Sequence, residues 1–294
     1  MDTVLTLIAE PHGASDLPRL VAAIADAVRI PVEPRWLSPG EACDLIFDAR
    51  CLTAVEGIAR SLIDGTDIDA LVQPLDGRRK RILVADMEAT IIEHEMLDEL
   101  ADFRGCRRQI ADITRRAMNG EIDFVAALEA RVALFAGMED RVLEEVAGRI
   151  RLTPGARALT ATMRAAGAVT MLVSGGFGIF AERVAAELAL DHVLANRLDI
   201  AAGRITGTVQ QPIVTGETKR QALLALAAEL RIPLDQTMAV GDGANDLQML
   251  AAAGVGVAFH AKPLVAARTR YRIDHADLTS LLYVQGYRKD EIVG

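Results

Sequence analysis

Four sets of polar residues in this sequence stand directly after apolar runs or at the start of helical stretches. In chain order they are Asp86 with Glu88, Ser174 with Gly175, Lys219, and Asp242 with Asn245 and Asp246. Taken singly, each set has an ordinary structural interpretation, such as a turn or a solvated charge. Together they provide a carboxylate nucleophile, hard oxygen ligands for a cation, and groups that neutralise phosphoryl oxygens. The chemistry that this combination predicts is phosphoryl transfer.

The predicted roles follow from the chemistry of each group. Asp86 is the candidate nucleophile, because carboxylates can form aspartyl-phosphates. Asp86 and Asp242 supply hard oxygens for Mg²⁺. The Ser174 hydroxyl, the Gly175 backbone N–H and the Lys219 ammonium neutralise the phosphoryl oxygens. We therefore expect one Mg²⁺-dependent site built from residues that are far apart in the sequence.

The motifs DMEAT, SGG, the lysine of GETK and GDGAND, in this order, resemble motifs I to IV of the haloacid dehalogenase superfamily of phosphatases. The resemblance covers about residues 80 to 275. It implies a Rossmann-like core and catalysis by Asp86, Glu88 and Lys219. It also implies Mg²⁺ held by Asp86, Glu88 and Asp242, with Glu88 contributing its backbone carbonyl.

A finer resemblance is to the phosphoserine phosphatase family, and it includes the sequence DLTSLLYVQGY near the C-terminus. It implies that Glu95 meets the substrate ammonium and that Arg131 meets the substrate carboxylate. It also implies that Met118 and Phe124 are apolar cap residues over the substrate. The full set of substrate-binding residues that we expect is Glu95, Met118, Phe124, Arg131, Ser174, Gly175, Lys219 and Asn245.

The resemblance implies Mg²⁺-dependent hydrolysis of O-phospho-L-serine to L-serine and phosphate through a phosphoaspartyl intermediate, as the last step of serine biosynthesis. The charge pattern agrees, because an amino acid bearing a phosphate needs one anion, one cation and a phosphate cradle, and a guanidinium suits a carboxylate. Two alternatives stay open. One is a phosphatase or phosphotransferase for another small phosphate ester. The other is a weakly active amino-acid-binding protein.

Glu88 departs from the Asp-x-Asp-x-Thr pattern of the superfamily, in which the second carboxylate is Asp. Unperturbed Glu and Asp have similar pKa values, about 4.3 and 3.9, so the acid–base role is chemically open to Glu88. Its longer side chain must be accommodated. Ala89 also replaces the usual Ser of that pattern.

The elements that position these residues alternate between strands and helices over residues 77–294, the expected phosphatase domain. Apolar runs typical of buried parallel strands lie at 82–85, 168–173, 238–240 and 255–258. Between them the sequence has four amphipathic stretches without strand pattern, at Glu95–Phe103, Cys106–Met118, Phe124–Phe135 and Glu139–Ile150. We predict an α/β fold with a doubly wound parallel sheet and a helical-bundle cap insertion at about 95–152. Alternating residues at 193–211 predict an antiparallel flap.

Residues 1–76 form a separate small module in this interpretation. Their apolar spacing predicts strands at Val4–Ala9, Val32–Leu37, Leu45–Phe47 and Ile68–Val72 and helices at Leu17–Val28 and Leu52–Ile63. The order βαββαβ is that of a ferredoxin-like α+β domain. By element order it resembles the small amino-acid-sensing domains of the ACT type.

The composition of the chain indicates which classes of partner and which cellular compartment to expect. The net charge of −9 argues against general nucleic-acid binding. No apolar run reaches membrane-spanning length, and the three scattered cysteines suit a reducing compartment. We expect a cytoplasmic protein that acts on a small molecule, without nucleic acid or a membrane, and we leave open a homodimer.

Overall fold

A computed structural model describes residues 2–11, 13, 16–29, 32, 34–118 and 120–294. The N-terminal part contains the elements β1 (Asp2–Ala9), α1 (Leu17–Val28), β2 (Pro34–Ser38), β3 (Ala42–Asp48), α2 (Leu52–Ile63) and β4 (Ile68–Pro74). The strands form an antiparallel sheet in the order β2-β3-β1-β4. This confirms the predicted βαββαβ order and its ferredoxin-like arrangement. Part of the predicted strand at 32–37 falls on residue 33, which lies outside the described residues.

The N-terminal sheet is buried on both faces. One face packs against α1 and α2 through side chains such as Leu5, Leu45 and Ile24. The other face contributes Ile8 and Leu71 to the apolar core of the rest of the chain. The two parts of the molecule therefore share apolar contacts. The boundary predicted at residue 76 stays a prediction.

The second part is built on a six-stranded parallel sheet in the order β12-β11-β10-β5-β6-β7. Its strands are β5 (Ile82–Ala85), β6 (Val169–Phe177), β7 (His192–Asn196), β10 (Thr237–Gly241), β11 (Val255–Phe259) and β12 (Tyr271–Ile273). The chain winds outward from β5 in one direction and from β10 in the other. The switch between the two directions lies between β5 and β10, where open α/β sheets bind their ligands.

Helices cover both faces of this sheet, as the doubly wound fold predicts. They are α7 (Ala156–Ala165), α8 (Gly178–Leu188), α9 (Gly216–Glu229), α10 (Leu247–Ala252), α11 (Pro263–Arg268) and α12 (Ser280–Val284). Successive side chains of β5 point to opposite faces, so Ile82 and Val84 pack with α9 and α10. Leu83 and Ala85 join the core on the other face. This explains why β5 is apolar at every position.

The predicted helical insertion between β5 and α7 is confirmed. It consists of α3 (Met96–Arg104), α4 (Arg107–Met118), α5 (Phe124–Ala133) and α6 (Arg141–Ala147). We call these four helices and their loops the cap.

The flap predicted at 193–211 is wrong in its first part. β7 joins the parallel sheet beside β6, and the antiparallel hairpin consists of β8 (Leu198–Ala201) and β9 (Arg204–Val209). The alternating pattern fits both kinds of strand, and pairing with β6 decides between them. None of the helices in the described ranges is long and apolar enough to cross a membrane.

Candidate active site

Asp86 lies directly after β5, and the buried ammonium of Lys219 reaches it from α9. The Lys219 Nζ donates to Asp86 Oδ1 at 2.6 Å and to Asp246 Oδ1 at 2.7 Å. The Asp246 carboxylate also accepts the backbone N–H of Gly243 at 2.9 Å, which fixes the loop after β10. One lysine therefore joins the motifs that follow β5 and β10, as the sequence predicts for strands that end at one edge of a sheet.

An acidic cluster at this edge can hold a divalent cation. Carboxylate oxygens of Asp86, Asp242 and Asp246 lie within 4.8 Å of one another, and all three residues are buried. Hard oxygen donors at this separation fit Mg²⁺. Both oxygens of Asp246 already accept hydrogen bonds from Lys219 and Gly243. Asp86 and Asp242 are therefore the better placed ligands of the three.

The charges of the site depend on one another. Burial opposes the charge of Lys219, but Asp86 and Asp246 outweigh it and raise the lysine pKa. Burial and the neighbouring Asp246 carboxylate raise the pKa of Asp86, against the effect of Lys219. A divalent cation beside Asp86 would favour its ionised form, which is the form that a nucleophile needs.

The side chain of Glu88 fits the site despite its extra methylene. Its Oε1 accepts the backbone N–H of Met96 at 2.8 Å, at the start of α3. A Cβ on Gly176 would lie 2.9 Å from Glu88 Oε2, so the absence of a side chain at this position makes room for the longer arm. Burial and the nearby Glu95 carboxylate raise the pKa of Glu88 to about 8. Glu88 is thus poised to carry a proton near neutral pH.

The C-terminal end of β6, which carries the SGG motif, is held in place by hydrogen bonds. The Ser174 hydroxyl accepts the backbone N–H of Gly176 at 2.9 Å. The Asn196 side chain donates to the Gly175 carbonyl at 2.8 Å and accepts the N–H of Val214 at 2.7 Å. Asn196 therefore connects the end of β6 to the segment that leads into α9.

The cap lies against the same end of β6. A Cβ on Gly175 would lie 3.3 Å from Phe124 Cζ of the cap and 3.8 Å from Asn245 Nδ2 of the core. Phe124 is partly exposed, with 36% of its surface accessible. Met118 ends α4, but its side chain lies outside the described part of the structure. Its predicted contact with the substrate stays a prediction.

Arg131 and Glu95 bring opposite charges to the site from the cap. Burial lowers the pKa of Arg131, against the carboxylates of Glu88 and Glu95 that raise it. The Arg131 Nε donates to the Ala127 carbonyl at 3.2 Å, one turn earlier on α5. These contacts place the guanidinium within the electrostatic reach of the two carboxylates.

The sequence model of the haloacid dehalogenase-like hydrolases matches residues 83–251, more than half of the chain. The chain belongs to the haloacid dehalogenase-like hydrolases. The predicted resemblance to this superfamily is therefore confirmed, and the four motifs lie where their order implied.

Relatives of this hydrolase include phosphoserine phosphatases. That of Streptomyces coelicolor is 42% identical over 228 residues, which are 78% of this chain and 56% of the relative. The chain thus spans little more than half the length of that protein. The phosphoserine phosphatase of Idiomarina loihiensis is 45% identical over 201 residues, which are 68% of this chain and 91% of the relative. These similarities confirm the finer resemblance.

A solved structure supports the whole architecture of this hydrolase. The crystal structure of a haloacid dehalogenase family hydrolase from Salmonella enterica serovar Typhi is 31% identical and has a TM-score of 0.88. It covers 96% of this chain and 98% of the other. The similarity therefore includes the N-terminal antiparallel sheet as well as the core and the cap.

Three residues of the hydrolase site received no role from the sequence. Asp246 carried a signal, since it is a second carboxylate in GDGAND, four residues after Asp242. Asn196 lies in the segment that the sequence assigned to the flap. Lys262 follows β11, and its Nζ lies 3.1 Å from Asp242 Oδ2 and 3.4 Å from Glu95 Oε1. A lone lysine at the start of a short helix gives no sequence signal.

Proposed function

We propose that the chain hydrolyses O-phospho-L-serine to L-serine and phosphate through a phosphoaspartyl intermediate on Asp86. The observation that carries the proposal is the buried Lys219 bound to Asp86 and Asp246 beside the Asp242 carboxylate. A nucleophile, a phosphate-neutralising cation and metal ligands meet there at the switch point of the sheet. The names of the relatives support phosphoserine as the substrate.

In the first step an Asp86 carboxylate oxygen attacks phosphorus, and the bond from phosphorus to the seryl oxygen breaks. Lys219, the Ser174 hydroxyl and the Gly175 N–H neutralise the phosphoryl oxygens. Glu88 gives its proton to the seryl oxygen as that oxygen leaves. Its raised pKa, about 8, keeps this proton available at neutral pH.

In the second step Glu88, now ionised, takes a proton from water, and the water oxygen attacks phosphorus. The Asp86 carboxylate leaves and phosphate is released. One residue thus serves as acid and then as base, which requires that it stay within reach of both oxygens. The cap over Gly175 limits the access of other water molecules during the first step.

Glu95 and Arg131 select the amino-acid part of the substrate in this proposal. Glu95 accepts the substrate ammonium, and the Arg131 guanidinium binds the carboxylate in a bidentate manner. Phe124 and Met118 cover the apolar part of the substrate, and Asn245 lies beside Gly175. An ester without these two charges leaves the partly buried guanidinium without its carboxylate partner and binds more weakly.

The proposed cofactor is Mg²⁺, with Asp86, Asp242 and the Glu88 backbone carbonyl as its ligands. When bound, it neutralises phosphoryl oxygens as a Lewis acid. We place the enzyme in the last step of serine biosynthesis. A cytoplasmic location and a homodimer remain predictions from the sequence.

Phosphate release from O-phospho-L-serine, measured with and without Mg²⁺, tests the proposal. We expect turnover with Mg²⁺ and its loss in Asp86→Asn, while circular dichroism shows the fold unchanged. A panel of small phosphate esters at fixed Mg²⁺ tests the substrate. A clear preference for another ester would overturn phosphoserine, and normal turnover by Asp86→Asn would overturn the nucleophile.

A further inference from the structure

Lys262 places a positive charge between two carboxylates. In the proposed function, each of these carboxylates binds a different cation. Its Nζ lies 3.1 Å from Asp242 Oδ2 and 3.4 Å from Glu95 Oε1. Asp242 is a proposed ligand of Mg²⁺, and Glu95 is the proposed acceptor of the substrate ammonium. Three cations, namely Lys262, Mg²⁺ and the substrate ammonium, therefore compete for two carboxylates. Like charges at contact distance repel one another, so Lys262 cannot keep both partners when the other cations bind.

The structure lets the Lys262 side chain leave without disturbing its backbone. The Lys262 N–H donates to the Asp242 carbonyl at 3.1 Å, and Pro263 begins α11 next to it. About half of the Lys262 side chain is exposed (53%), whereas Lys219 is fully buried. A lysine ammonium on a flexible, half-exposed stem can move into water at low cost. Lys219 is a fixed part of the site, and Lys262 is a movable one.

We propose that Lys262 is a competing internal cation, which Mg²⁺ displaces from Asp242 and the substrate ammonium displaces from Glu95. One lysine contacts both carboxylates. A cation that displaces Lys262 from one carboxylate therefore also makes its displacement from the other carboxylate easier. Mg²⁺ and the amine therefore strengthen each other's binding through Lys262, although both carry positive charge. The part of this inference that concerns Glu95 rests on the proposed function. The part that concerns Asp242 requires only that Mg²⁺ binds there, whatever the substrate is.

Calorimetry with MgCl₂ alone tests the competition for Asp242. Lys262→Met should bind Mg²⁺ about 1.4- to fivefold more tightly than the wild type, the range expected for loss of a half-exposed ion pair. Lys262→Arg keeps the charge and should resemble the wild type. Lys289→Met is the matched control, because it removes the same charge from an ion pair with Glu41 in the N-terminal part. Unchanged or weaker Mg²⁺ binding by Lys262→Met would overturn the competition.

Calorimetry with L-serine, with and without Mg²⁺, tests the link between the two carboxylates. In the wild type, Mg²⁺ should tighten serine binding, and serine should tighten Mg²⁺ binding by the same factor. Lys262→Met should lose this mutual effect. If the effect persists in that variant, Lys262 merely repels Mg²⁺, and the link is overturned. Failure of serine to bind at all overturns the part that concerns Glu95, and absence of phosphoserine turnover contradicts the proposed function. The metal measurement decides the competition for Asp242 in either case.

Discussion

At the scale of single residues, Glu88 shows how its surroundings can make an unusual side chain suitable for its role. The hydrogen bond from Met96 fixes one carboxylate oxygen, and Gly176 leaves space for the other. Burial then raises the pKa of the carboxyl to about 8. A longer acid at this position is therefore compatible with proton transfer to a leaving group.

Glu88 predicts a pH dependence for the first step. A raised pKa means that the carboxyl is protonated below about 8 and ionised above it. We expect phosphorylation of Asp86 by phosphoserine, followed in a rapid-quench experiment, to slow as the pH rises through this value. An aryl phosphate has a better leaving group, so the same step with that substrate should depend much less on pH. Equal pH dependence with both substrates would speak against Glu88 as the acid.

Replacing Glu88 by Gln separates its two roles. General acid–base catalysis contributes about 10²–10⁴-fold, so the variant should lose most of its turnover of phosphoserine. With an aryl phosphate, the variant should release roughly one equivalent of phenol per site in a burst and then stall as the phospho-enzyme, because no base activates water. Glu88→Asp should remain active and serves as the control. Steady turnover of phosphoserine by Glu88→Gln would point to another acid–base group.

Arg131 predicts a selective loss of substrate recognition. Arg131→Ala should weaken binding of phosphoserine by about 10- to 100-fold, the effect of removing one charge-assisted contact of about 1.5–3 kcal/mol. An ester without a carboxylate should be affected much less. The KM values of both substrates measure the difference, with Arg108→Ala on the exposed side of α4 as a control. Equal losses on both substrates would mean that Arg131 is structural.

At the scale of elements, the hairpin β8–β9 pairs with the cap. Gly137 donates to the Ile205 carbonyl at 2.8 Å, and the Ile205 N–H donates to the Met138 carbonyl at 2.9 Å. A Cβ on Gly207 would lie 2.9 Å from the Ala136 Cβ. The hairpin therefore belongs to the cap as much as to the core.

A side chain at Gly207 should loosen this contact. Gly207→Val adds atoms against Ala136 at a positive φ of 94°, so we expect faster hydrogen exchange of the amides at 137–140. Gly167→Val is the control. Its φ is also positive, at 82°, but nothing lies within 4 Å of the added Cβ. If both variants change exchange in the cap equally, backbone strain rather than the close approach is responsible.

At the scale of the whole molecule, the N-terminal sheet is joined to the core by buried polar contacts as well as by apolar ones. The Asp69 carboxylate on β4 accepts the backbone N–H groups of Asp274, His275 and Ala276 at 2.8, 3.2 and 2.9 Å. Gln73 donates to the Val284 carbonyl at 2.6 Å. The N-terminal part therefore supplies several of the hydrogen-bond partners of the C-terminal segment.

Asp69→Ala should lower the free energy of unfolding by at least about 2 kcal/mol, because three backbone N–H groups lose their acceptor. Urea unfolding measures this change. Asp290→Ala removes a carboxylate from an exposed ion pair with Arg288 and should alter stability by less than about 0.5 kcal/mol. A loss no larger than that of the control would mean that this junction contributes little to stability.

The sequence alone determined the class of the fold and most of the proposed site. Short apolar runs followed by polar residues identify buried parallel strands, and parallel strands end at one edge. Asp86, Ser174 and Asp242, which follow such runs, could therefore be grouped from the sequence. The helices of the cap followed from apolar residues at helical spacing, which is a local property of the chain.

The tertiary structure alone decided which strands are neighbours and which side chains meet. β7 has the pattern of a hairpin strand, and its place beside β6 depends on contacts distant in sequence. Two features of the site also depend on contacts distant in sequence. Gly176 leaves space for Glu88, and Lys262 lies between Asp242 and Glu95. Periodicity reports which face of an element is buried, but it carries no information on what the other elements place against that face.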